Sequence, residues 1–471
     1  LARVKRGSAA SETREYGRSA ALLTLALGSA GLLAYAFFAV ASHTLDRDEY
    51  GEIVVLWSVV FVAASTLFRP IEQLLSRTLA EREEVGEDTG HVLRIAALIQ
   101  AALSLAAVAL LLLLRDPISD HLLEGGATLY WVLVVALVGF GGAFFARGFL
   151  AGRRQFGLYA SLLVIEGTAR LAFALAVAVG IADGIEAVAL GICAAPLAGV
   201  AVIPLALRRR GIGGAGERRE RRSGETGGGS QLASPTEPEF TLSRGGAFAA
   251  AVLLMMLSEQ IIISSGALFV RAAEGAAAAG FIFNVLMVAR APLVLFQAIA
   301  ASLLPHLTRL RTRGDPSGAE AFRMSVNTTL LTVAGFAVLT TIGVLAVGPE
   351  AMQLAFGDKF TYDRAGLAIV AVGMGFYLSA AALNQAALAQ GQARRAAACW
   401  VLCATAFIVF NLAAPLDPYR TVEVGFAGAA ALLAGLLYLL YAHPRPVVAD
   451  AFEPGSAREI EARLAAADEI G

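Results

Sequence analysis

The sequence predicts an all-α polytopic membrane protein, with about twelve transmembrane helices in two six-helix lobes. Three observations carry this. The 471 residues are 57% hydrophobic and only 16% charged, where a soluble chain carries about 25% charged residues. The apolar residues fall in twelve continuous runs, each near the roughly 20 residues that cross the hydrocarbon core as a helix. One long segment rich in Arg and Gly divides the runs six and six.

The runs lie near 19–42, 52–75, 92–114, 127–149, 158–180, 187–207, 246–270, 279–304, 325–348, 365–389, 396–414 and 423–442. They are continuous rather than alternating, which excludes a β-barrel. The expected organisation is a cytoplasmic tail (1–18), an N-terminal lobe (19–207), a flexible basic linker (208–244), a C-terminal lobe (245–442) and a second cytoplasmic tail (443–471). A surface helix is expected over 456–468. The linker has glycines but no lysine and no Gly-Lys-Ser/Thr, so no ATP site is expected there. Ala39-Val40-Ala41 has the small residues of a signal-peptidase site, but the apolar run before it is long, and a retained helix is expected.

Charge placement orients the chain. Arg3, Lys5, Arg6, Arg14 and Arg18, then Arg69, Arg77, Arg82 and Arg94, then Arg147, Arg153 and Arg154 are read as one side. The linker arginines, Arg309, Arg311, Arg313, Arg323, Arg394, Arg395 and Arg445 continue that side. The opposite loops hold Arg47, Arg115, Arg271, Lys359, Arg364 and Arg420. The positive-inside rule then places both termini in the cytoplasm. The net charge of −1 points to no nucleic-acid partner. The three cysteines (Cys193, Cys399 and Cys403) all fall inside spans, an odd set expected to pack rather than to form disulfides or bind metal. No cofactor is expected.

The halves echo each other in parallel, as in internally duplicated transporters. Gly51 and Leu74-Leu75 bound span 2, and Gly280 and Leu303-Leu304 stand 229 residues later. Leu150-Ala151-Gly152-Arg153-Arg154 is answered by Leu388-Ala389-Gln390-Gly391 with Arg394-Arg395.

An ionisable group at the bilayer centre costs about 2.5–3.5 kcal/mol on insertion scales, so each one needs a reason. Arg290 follows Gly280 by ten residues, about 15 Å of helix, which puts it near the midplane. Glu259 is expected at similar depth on the neighbouring span. The two are read as a pair that an anionic substrate would part. Gln260 and Asn284 add hydrogen-bonding capacity beside them. Arg69, with Pro70, Glu72 and Gln73, forms a polar inner end to span 2, a candidate mouth for headgroups. Glu166 and Arg170, at i and i+4 on span 5, are read as a structural ion pair. Glycines 139, 141, 142 and 148 in span 4 permit close helix contact.

Several stretches then resemble a family. They are Asp48-Glu49-Tyr50-Gly51 running to Leu74-Leu75-Ser76-Arg77, Phe145 to Phe156 with Tyr159, Glu166 and Arg170, and Ala289-Arg290-Ala291-Pro292-Leu293 leading to Leu303-Leu304-Pro305. They resemble the multidrug/oligosaccharidyl-lipid/polysaccharide exporter superfamily, on its polysaccharide-transporter branch, over about residues 19–442. The resemblance implies two lobes around a central cavity that opens alternately to either side of a bacterial inner membrane. It implies a flippase for polyprenyl-diphosphate-linked glycan, and it puts diphosphate binding on Arg290. It implies H⁺ or Na⁺ as the candidate coupling ion, a monomer, and contact with polysaccharide assembly enzymes. The alternative on the same fold is a cation-coupled multidrug efflux antiporter. An enzyme is not expected, because the outer loops are short and no His or carboxylate cluster converges in sequence. The major facilitator fold also gives six plus six, but its usual loop pattern is replaced here by Arg82-Glu83-Glu84-Val85-Gly86-Glu87-Asp88.

Overall fold

The computed structural model describes residues 25–85, 89–123, 126–201, 203–204, 242–288, 303, 307, 316–360 and 362–443. Arg290, the expected linker up to 241, both tails save His443 and the expected helix over 456–468 lie outside the described residues. The N-terminal lobe holds α1 (Leu25–Thr44), α2 (Arg47–Val85), α3 (Gly90–Leu113), α4 (Ala127–Gly152), α5 (Phe156–Ala178) and α6 (Gly184–Val200). The C-terminal lobe holds α7 (Leu242–Ser264), α8 (Gly266–Glu274), α9 (Ala276–Val288), α10 (Pro316–Phe356), α11 (Arg364–Ala389), α12 (Ala393–Ala413) and α13 (Pro418–Ala442).

Nine of the described helices are long and apolar enough to cross a membrane, and α7 with α8 makes one more span bent by 48°. The shorter apolar helices α6 and α9 complete the two sets of six. This is a multi-pass membrane protein. α7 begins at Leu242, inside the expected linker boundary.

The parallel repeat is visible in the backbone. α4 and α11 begin and end 237 residues apart, and α12 starts 237 residues after α5. Both turns after α4 and α11 close with the same Schellman motif. Gln155 N–H reaches Leu150 O at 2.9 Å and Arg154 N–H reaches Ala151 O at 3.0 Å. Gln392 N–H and Gly391 N–H make the matching bonds to Ala387 O and Leu388 O, each 2.9 Å. The left-handed position falls on Arg154 (φ 54°) in one half and Gly391 (φ 73°) in the other. The sequence echo had set these segments one residue out of register. The packing repeats as well: α3 on α4, α4 on α6 and α5 on α6 are matched by α10 on α11, α11 on α13 and α12 on α13.

Helices in lipid gain little from the hydrophobic effect between them, so small residues at their crossings matter. A Cβ on Gly148 would sit 2.8 Å from Glu72 O, and one on Gly152 would sit 2.7 Å from Leu79 Cβ. These two glycines let α4 lie close along α2. Gly139 faces Pro196 of α6, and Gly141 faces Gln100 of α3.

The lobes meet at one end. Gly51 of α2 lies against the Ala276 backbone, and a Cβ on Gly280 would stand 3.1 Å from Gly51 Cα. The two glycines that mark the repeat therefore touch each other. Around them the Tyr50 hydroxyl donates to Asn284 Oδ1, and the Tyr35 hydroxyl donates to Met287 O at 2.5 Å. Phe38 and Phe283 pack with ring centroids 4.7 Å apart. Arg271 donates to Leu122 O at 3.4 Å.

At the same end of the C-terminal lobe, Asp363 caps α11 by accepting the Gly366 N–H at 3.0 Å. It also accepts from Arg420 at 2.7 Å, and Arg420 donates to the buried Glu423 at 2.8 Å. Burial pushes the Asp363 carboxyl up, but the Arg420 hydrogen bond and charge and the Gly366 N–H outweigh it and hold the group below its usual range.

Two outcomes follow from this packing. Gly51→Ala is expected to cost about 1–3 kcal/mol through overpacking, seen as a lower unfolding temperature in detergent. Gly28→Ala, which has nothing within 4 Å, is the silent control. Asp363→Asn is expected to be less heat-stable than the parent chain at pH 7. A carboxyl with a depressed folded value stabilises above its unfolded value, about 3.9, and loses that contribution as pH falls through the folded one. The gap between the two proteins therefore closes below about pH 4.

Candidate functional site

A buried charged cluster lies in the N-terminal lobe, between α1, α2, α4 and α5. Glu166 of α5 stands at its centre. Arg147 of α4 donates to Glu166 Oε2, and Arg170 donates to Oε1 at 3.1 Å. The side chains are 12% exposed for Arg147, 8% for Glu166 and 5% for Arg170. One buried carboxylate thus holds two buried guanidiniums.

Aromatic rings complete the cage. The Arg170 guanidinium lies 4.2 Å from the Trp57 ring centroid, and that of Arg147 lies 4.8 Å from Phe144, both within cation–π range. Trp57 stacks on Phe61 at 5.6 Å and meets Phe140 edge-on at 6.3 Å. These groups line a cavity of about 190 Å³, with Ala34, Ala64 and Ser65 on its remaining wall. The Nε atoms of Arg147 and Arg170 are buried and find no hydrogen-bond partner among the described residues. A second carboxylate lies close by: Glu72 of α2 accepts from the Tyr159 hydroxyl at 3.0 Å. Arg147 and Arg69 both attract it.

The sequence-derived candidates divide. Glu72, Arg69, Glu166 and Arg170 come together in this one region. Glu259 does not: it accepts from Tyr377 of α11 at 2.6 Å in the other lobe, and its expected partner Arg290 lies outside the described residues. Gln260 is buried and accepts the Ser264 hydroxyl at 3.4 Å. Asn284 is wholly buried and accepts from Tyr50, so its carbonyl oxygen ties the lobes together. Glu166 and Arg170 are in contact, but not as an isolated pair.

Arg147 corrects the charge reading. It was grouped by charge with Arg153 and Arg154 at the cytoplasmic side, yet it lies more than one turn inside α4 and points at Glu166. The usable signal was its distance from the turn, since the chain breaks helix only at Arg153-Arg154. Trp57 and Tyr159 left no such signal, because aromatic residues abound in apolar spans.

The equivalent positions of the C-terminal lobe do not repeat this cluster. The 237-residue offset carries Arg147 onto Asn384, Glu166 onto Cys403 and Arg170 onto Phe407. Asn384 accepts from Trp400 at 3.1 Å, and Cys403 and Phe407 are buried in the apolar core.

No family model matches the sequence, and no curated protein matches it. Solved structures do match. A multidrug resistance MATE family transporter of the MOP superfamily, in its inward-facing conformation, superposes with TM-score 0.65 at 12% identity, covering 90% of this chain and 97% of that one. The chain has the MATE transporter fold. A Vibrio cholerae MATE transporter, VcmN, gives 0.58 at 16% identity, covering 92% and 97%. The eukaryotic MATE transporter AtDTX14 gives 0.61 at 14% identity, covering 92% and 96%. An outward-facing MATE structure gives 0.58, below the inward-facing one.

The stability order of three variants checks the cluster. Glu166→Ala leaves two buried cations facing each other and is expected to cost about 3–5 kcal/mol. Arg147→Gln and Arg170→Gln each leave Glu166 one partner and are expected to cost less. Thermal unfolding in detergent that ranks either arginine variant below Glu166→Ala would contradict this.

Proposed function

We propose that this protein is a membrane transporter that moves an amphipathic organic solute outward by alternating access. The observation that carries this is the caged cavity of the N-terminal lobe, set in a fold shared with MATE transporters. The end where Gly51 meets Gly280 is read as the outer one. The charge distribution supports that orientation, and so does the closer match to an inward-facing structure than to an outward-facing one. The chain then stands closed outside, with the cavity served from the cytoplasm. H⁺ or Na⁺ as the driving ion belongs to this reading.

Two substrate classes fit the fold. The inward-facing and outward-facing structures that match are of multidrug resistance transporters, which favours efflux of organic solutes, and this is the reading adopted. A second reading, flipping of polyprenyl-diphosphate-linked glycan for cell-surface polysaccharide, has one observation of its own. Arginines outnumber carboxylates in the cavity, as a phosphate-bearing headgroup requires.

Proteoliposomes separate these. The efflux reading expects ion-driven movement of an organic dye, abolished by Trp57→Ala with Phe140→Ala. The flippase reading expects no dye movement, but transfer of a labelled polyprenyl-diphosphate sugar between leaflets. Deletion in the host would then leave lipid-linked oligosaccharide on the cytoplasmic leaflet. Neither activity in a folded preparation would sink the transporter reading.

A further inference from the structure

We infer that the cage in the N-terminal lobe is an anion site, and that Glu166 is its built-in stand-in ligand. The site takes one anionic group, a phosphate ester or carboxylate, at the head of an amphiphile. The inference rests on the transporter reading but not on either of its substrate classes.

The charge count comes first. Among the residues lining the cavity, Arg147 and Arg170 oppose Glu166 alone. Adding the nearby Glu72 and Arg69 still leaves one positive charge in excess. A site built for organic cations would have the opposite sign.

Donor geometry comes second. The guanidinium is a planar fork that presents an N–H edge to two oxygens at once. Here each arginine spends one terminal nitrogen on a different oxygen of Glu166. Neither makes the paired contact its shape allows, and both Nε groups stay buried without a described partner. Arg170 as a residue is only 4% exposed. A buried donor left unmade is costly, so this is an arrangement that a better anion would complete. A phosphate ester has three terminal oxygens, enough to occupy both forks.

The wall comes third. The guanidiniums of Arg170 and Arg147 lie over the Trp57 and Phe144 rings, which favours one place for each fork before any ligand arrives. Phe61 and Phe140 extend that wall with apolar surface and no further charge. The site is therefore cationic at one place and apolar beside it, which suits a charged head on a hydrocarbon body. The 237-residue offset gives an internal control, since the same positions in the other lobe are Asn384, Cys403 and Phe407.

The test uses the full chain in phosphatidylcholine nanodiscs, with octyl phosphate, octyltrimethylammonium and inorganic phosphate as probes in calorimetric titrations. Octyl phosphate is expected to bind the parent chain, and Glu166→Gln is expected to bind it about tenfold tighter, because the internal competitor is gone. Octyl phosphate should also raise the unfolding temperature of Glu166→Gln more than that of the parent. Arg170→Gln, which keeps the Arg147–Glu166 contact, is expected to lose about tenfold. Cys403→Ser should change nothing. Preference for octyltrimethylammonium would overturn the proposal, as would anion binding that Glu166→Gln leaves unchanged or weakens. Should Glu166→Gln not fold, unchanged binding by Arg170→Gln would overturn it. Inorganic phosphate binding as tightly as octyl phosphate would overturn the amphiphile assignment. Transport of no solute with octyl phosphate binding intact would sink the transporter reading and leave the anion site standing.

Discussion

A carboxylate between two guanidiniums, inside a lobe that has lipid around it, is the interaction on which the N-terminal half depends. Ionised groups at such depth persist only when other groups replace their water. Glu166 does this for both arginines, and they do it for Glu166. Because Arg147 belongs to α4 and Glu166 to α5, the cluster also pins two helices that share a tight turn. Gly148, one residue from Arg147, lets α4 approach the α2 backbone near Glu72. The position of the charge and the closeness of the helices are thus parts of one arrangement.

The lobe-to-lobe contact follows a different logic. There the constraint is steric: Gly51 and Gly280 bring two backbones together where any side chain would intrude. Tyr50 and Asn284 add one buried hydrogen bond across the same gap. Among the described residues such a contact is tight but contains few strong interactions, the character that the proposed alternating-access cycle asks of a joint.

The sequence made the helices legible because bilayer thickness leaves little freedom in the length and hydropathy of a span. Gly51 and Gly280 were legible as a repeat, although their mutual contact was not, since nothing in a linear pattern says that equivalent positions meet at an axis. Glu166 and Arg170 were legible from helical spacing. Arg147 was harder to read, because it lies close in sequence to Arg153 and Arg154, and its inward position follows only once the helix is known to run on to Gly152. Asn284 was legible as polar and buried, but not as a tie between lobes, because its partner Tyr50 is in the other half. The contact of Glu259 with Tyr377 was not legible, because the two lie on helices far apart in sequence; its expected partner Arg290 lies outside the described residues.

The duplication has an arithmetic consequence. Two lobes with one backbone plan could have offered two equivalent seats for a charged solute. Here Asn384, Cys403 and Phe407 stand where the second seat would be, so these equivalent positions offer none. For the anion site inferred above, titration with such a ligand should therefore saturate at one equivalent rather than two. The backbone plan is repeated at these positions, and the charge is not.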